Sequence, residues 1–110
     1  MDIRELISNK RRVKCLYEKQ KIYLSMPIDD ALKTAHETEA EILLAQMSDI
    51  DKRLLELSER IKTTERLKVF MLKYVVCESN YIVAQKLCVS ERQMQRLAKN
   101  ALDDISKSPD

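Results

Sequence analysis

The chain has 110 residues, 35% of them charged and 45% hydrophobic, and it contains no glycine. That zero excludes Gly-rich phosphate loops, dinucleotide fingerprints and nucleophile elbows. With only two prolines, Pro27 and Pro109, few breakers interrupt the chain, and long helices in an all-α fold are expected. The net charge is +2, but it is unevenly spread. Residues 1–26 carry seven Lys/Arg and three Asp/Glu, and residues 27–62 carry five and nine. A basic segment beside an acidic one of similar length suggests that the two pair.

No apolar run reaches the roughly 20 residues of a membrane span, so no membrane partner is expected. The charged opening Met1-Asp2-Ile3-Arg4-Glu5 does not read as a secretory leader. Cys15, Cys77 and Cys88 are odd in number and lack metal-ligand spacing. They read as free thiols in a cytoplasmic protein, with no metal and no cofactor.

In chain order, the first element spans residues 3–24. Its stripe is Ile3, Leu6, Lys10, Val13, Tyr17, Gln20 and Leu24, widened by Ile7 and Leu16. Arg11, Arg12, Lys14, Glu18, Lys19 and Lys21 form the polar face. Pro27 then breaks the helix. Restart signals overlap: Asp29 or Asp30 could cap, and Thr34-Ala35-His36-Glu37 fits a capping box.

The second element repeats Ala40, Leu43, Met47, Ile50, Leu54, Leu57 and Ile61 at spacings of three and four. An uninterrupted stripe of this kind predicts a coiled-coil seam. Asp49, Asp51, Lys52, Glu56, Glu59 and Lys62 fall on the solvated face, and the single histidine, His36, is expected to be exposed. Two packings compete: the first helix folds back on the second, or the second pairs with its copy; both together would give a four-helix bundle. Leu43, Met47, Ile50, Leu54, Leu57 and Ile61 are the expected oligomerisation residues of a homodimer. Residues 1–62 thus form a helical hairpin or coiled coil.

Residues 63–106 form a second expected domain, followed by a disordered tail at 107–110. Thr63 or Thr64 can cap a helix carrying Leu67, Phe70, Met71, Tyr74 and Val75. After the polar gap Glu78-Ser79-Asn80 comes a short helix, Tyr81–Leu87, then a turn at Cys88-Val89-Ser90. The last helix runs from Glu91 to about Ile105, with Met94, Leu97, Ala98, Ala101, Leu102 and Ile105 facing inward.

The spacing around that turn is specific. Ala84 is small where two helices would cross, Leu87 and Val89 bracket the turn, and Ser90 with Gln93 fits a capping box. Met94 and Leu97 follow the cap by four and seven residues. Residues 65–105 therefore resemble the helix-turn-helix of sigma factor region 4 and related bacterial regulators, with Cys88 where glycine is usual. The layout as a whole also resembles small phage-encoded regulators of the RinA/ArpU type.

The resemblance implies a C-terminal tri-helical helix-turn-helix that binds double-stranded DNA and regulates transcription. The last helix would enter the major groove, where Arg reads guanine and Gln reads adenine. Arg92, Gln93, Gln95 and Arg96 are then the expected base readers. Ser90, Lys86, Lys99, Arg66, Lys68 and Lys73 are the expected phosphate contacts. Two alternatives stand beside this reading. One is a coiled-coil adaptor that binds a partner such as RNA polymerase, and the other is a small terminase subunit. No catalytic constellation stands out, and an enzyme is not expected.

Overall fold

The structure is a computed structural model, and it describes residues 2–107. The fold is all-α, with five α-helices and no strand among the described residues. The helices are α1 (Ile3–Leu24), α2 (Asp30–Ser58), α3 (Thr64–Phe70), α4 (Asn80–Leu87) and α5 (Glu91–Lys107), and a π turn, Met71–Val75, continues α3. The chain divides into two compact units. Arg4–Lys52 form one, and Arg53 onward, with Asp2 and Ile3, form the other. The division falls inside α2, ten residues before the expected boundary at 62, so the end of α2 belongs with the C-terminal helices.

In the first unit α1 and α2 run antiparallel. Val13 packs with Leu43 and Met47, flanked by Tyr17 and Ile50. Toward one end Lys10 pairs with Asp51, and toward the other Gln20 Oε1 lies 2.6 Å from His36 Nδ1. α1 stops where Ser25 N–H bonds back to the Lys21 and Ile22 carbonyls. Its hydroxyl also donates to Ile22 O at 2.6 Å.

α2 starts one residue after Asp29, whose carboxylate accepts from Leu32 N–H at 2.9 Å. The Thr34 capping box does not form: Thr34 sits one turn inside the helix and donates to the Asp30 carbonyl at 3.0 Å. Asp29 prevails because it stands directly after the Pro27 break, where the first N–H groups need acceptors. At the other end α2 tightens, with N–H bonds three residues back from Glu59, Arg60 and Ile61. Ile61 therefore lies beyond the helix, where the expected seam would have carried it on.

The seam is occupied within one chain. Leu43, Met47, Leu54 and Leu57 are buried, and Leu43 and Met47 face Val13 of α1. Within one chain this stripe is therefore already covered at Leu43 and Met47 by α1. Two polar residues also depart from expectation. Asp51 is half-buried against Lys10 instead of solvated. His36 is half-buried and stacks on Tyr23, with ring centroids 4.8 Å apart.

The C-terminal unit is built of shorter helices, each held by a cap. Thr63 Oγ1 accepts from Arg66 N–H at 3.3 Å to open α3. Ser79 Oγ accepts from Ile82 N–H at 3.3 Å to open α4. After Phe70 the helix widens, Val76 N–H reaching the Met71 carbonyl at 2.9 Å. Cys77, at φ 66°, then ends it in the left-handed region. α3 and α4 both pack on α5, and α4 also touches the π turn. Val69, Phe70, Val83, Met94 and Ala101 are fully buried. Phe70 meets Tyr74 at 5.5 Å between ring centroids, tilted by 60°.

Candidate nucleic-acid interface

The link from α4 to α5 has a defined geometry. Cys88 adopts φ 57° and ψ 40°. Its N–H bonds to the Gln85 carbonyl at 3.2 Å, and Val89 N–H bonds to Ala84 O at 3.1 Å. This is a Schellman stop with cysteine in the position glycine favours. Leu87 and Val89, on either side of the stop, are half-buried. Ser90 Oγ accepts from Gln93 N–H at 3.1 Å, and the Ser90 carbonyl accepts from Met94 N–H at 2.9 Å. α5 therefore starts at Glu91, with its first turn satisfied.

One face of α5 is locked inward by Met94, Ala98, Ala101 and Ile105, with Leu97 and Leu102 half-buried beside them. The opposite face presents Arg92, Gln93, Gln95, Arg96 and Lys99, all exposed. Arg92, Arg96 and Lys99 are spaced four and three residues apart, so they form one stripe about 10 Å long. None of the three has an ion-pair partner among the described residues.

The other expected phosphate contacts fare differently. Lys68 is exposed. Lys86 is exposed but pairs with Glu78 at 3.3 Å, a surface pair of the kind that contributes little. Lys73 is half-buried, with its ammonium 5.4 Å from the Tyr74 ring centroid. Ser90 spends its hydroxyl on the helix cap.

Arg66 is engaged within the C-terminal unit. Its Nη1 donates to both oxygens of Asp104 at 3.0 Å, and Asp104 Oδ2 also accepts Lys62 N–H at 3.0 Å. Arg66 is therefore held in a structural ion pair within the C-terminal unit. Burial alone would raise the Asp104 carboxyl. The Lys62 N–H and the Arg66 guanidinium outweigh burial and hold it below the ordinary carboxylate range. Asp104 was missed in the sequence. The available signal was an acid three residues after Ala101 and next to Ile105, on the buried face of α5.

Away from α5, Thr64, Leu67, Lys68, Met71, Leu72 and Leu87 line an open groove of about 470 Å³. Leu67, expected on the inward face of α3, is exposed in this groove. The described residues contain no group of His, Cys, Asp and Glu side chains that could hold a metal ion. No helix among them is long and apolar enough to cross a membrane. Compared with protein-family profiles, curated proteins and solved structures, the chain matches none.

Proposed function

We propose that this protein is a sequence-specific DNA-binding transcriptional regulator that reads the major groove of double-stranded DNA with α5. The observation that carries the reading is the exposed, unpaired stripe Arg92, Arg96 and Lys99, with Gln93 and Gln95 beside it, on a helix whose opposite face is fully buried. A face without acids from Arg92 to Lys99 suits a polyanion. Its mixture of Arg and Gln suits base edges as well as phosphates. The short α4–α5 link supports a helix-turn-helix, because the Cys88 stop and the Ser90 cap leave no slack between the two helices. A phage-encoded regulator of the RinA/ArpU type is the corresponding biological setting.

Titration of DNA at two salt concentrations tests the reading. Arg96→Ala should weaken binding by about 1–3 kcal/mol and relax preference at one base pair. Lys99→Ala should weaken all sequences alike and reduce the salt slope by about one. Both side chains are exposed, so helicity should be unchanged. Absence of wild-type binding at low salt, or wild-type affinity in both variants, would overturn it. The partner-binding alternative draws support from the apolar groove at Leu67, Met71, Leu72 and Leu87, which is shaped for an apolar side chain rather than for a phosphate.

A further inference from the structure

The buried seam leaves the hairpin with a second pair of stripes that its own packing does not use. On α1, Arg12, Leu16 and Lys19 are spaced four and three residues apart, and all are exposed. On α2, Glu39, Ile42, Gln46 and Asp49 are spaced three, four and three, and all are exposed. The α1 residues each stand one position before an inward-facing one: Val13, Tyr17 and Gln20. Three of the α2 residues likewise precede Leu43, Met47 and Ile50. In two right-handed helices that run antiparallel, this shared offset turns both stripes to the same side of the pair.

The central levels also match. Together the Lys10–Asp51, Val13–Leu43, Val13–Met47 and Gln20–His36 contacts set the register of the hairpin. In that register Leu16 stands across from Ile42 and Lys19 from Glu39, while Asp49 lies about one helical turn along α2 from the level of Arg12. Leu16 is 37% exposed and Ile42 48%, both large for apolar side chains. Arg12, Lys19, Glu39 and Asp49 make no ion pair among the described residues. One side of the hairpin thus has a basic half on α1, an acidic half on α2 and an apolar centre.

We infer that this side of the hairpin is a docking surface for a second copy of the same chain. A two-fold axis parallel to the helices lays α1 of one copy on α2 of the other at the same level. Leu16 then meets the partner's Ile42, Lys19 the partner's Glu39, and the long Arg12 side chain reaches one turn along toward the partner's Asp49. The surface is self-complementary, as an isologous interface requires, and each helix runs antiparallel to its neighbours in a four-helix bundle. Rotating the partner end for end would bring α1 onto α1, opposing basic with basic. The inference does not depend on DNA reading by α5.

Sedimentation equilibrium of the full chain across the micromolar range tests it. The wild type should sediment at twice the 12.9 kDa chain mass. Arg12→Glu with Lys19→Glu should halve that mass, and so should Glu39→Lys with Asp49→Lys. An equimolar mixture of the two variants should regain the twofold mass as a heterodimer, since one carries an all-acidic face and the other an all-basic one. Circular dichroism should show unchanged helicity, because all four side chains are exposed. The wild type alone supplies a further measurement: rising salt should shift it toward monomer, as exposed charge pairs are screened. A monomeric wild type, a dimer indifferent to salt and to both reversals, or variants that fail to recombine would overturn the inference.

Discussion

The hairpin and the C-terminal unit reach order by different routes. α1 and α2 are 22 and 29 residues long, and a thin apolar seam between them is interrupted by polar pairs, Lys10 with Asp51 and Gln20 with His36. α3 and α4 have only seven and eight residues. Helices that short do not persist alone in water. They depend on side-chain caps at Thr63 and Ser79 and on a dense centre around Phe70, Val83 and Met94. The contrast teaches where each unit is vulnerable. Long helices tolerate polar residues in their seam, whereas short ones have no stability in reserve once the core is damaged.

The sharpest way to break this comparison is Phe70→Ala. The ring is fully buried and its loss should cost about 3–5 kcal/mol. Hydrogen exchange should then show protection lost across residues 64–107 and retained across residues 10–50. Equal loss in both regions would mean that the two units unfold together.

A smaller effect is expected from Asp104→Asn, and it should depend on pH. The folded carboxyl titrates below its unfolded value, so its contribution is present above an unfolded pKa of about 4 and is lost as pH falls through the folded value. Thermal unfolding should place the variant below the wild type at neutral pH, and the gap should close on acidification below that range. A gap that stays constant with pH would assign the effect to packing alone. The smallest effect is expected from Cys88→Gly. Relief of the left-handed backbone should stabilise the chain by about 1 kcal/mol, read as a higher denaturant midpoint.

Much of the C-terminal unit was legible in the sequence because its signals are local. The Thr63 and Ser90 caps, the left-handed Cys88 and the inward face of α5 all follow from neighbours within a few residues. Features that need a distant partner were not legible. Nothing near Lys10 announces Asp51, and nothing near Arg66 announces Asp104, since each pair is separated by about forty residues. The same limit explains the seam. Its periodicity marked Leu43 and Met47 as buried, but periodicity cannot say whether the opposing helix is α1 or a second chain. The π turn was hidden for another reason: Met71–Val75 keeps apolar residues at ordinary helical spacing, and only the Val76 hydrogen bond betrays the widening. The exposed stripe on α5 was readable as a face, while what it meets is the subject of the proposal.

The two left-handed residues among the described ones, Cys77 and Cys88, are both cysteines in a chain without glycine. In the genetic code each cysteine codon becomes a glycine codon by one nucleotide change, T to G at the first position. At both helix stops the relaxed backbone thus lies a single mutation away. Any search for stabilised variants by random mutagenesis should find these two sites early, and their recovery would map the strained turns of the fold without a structure.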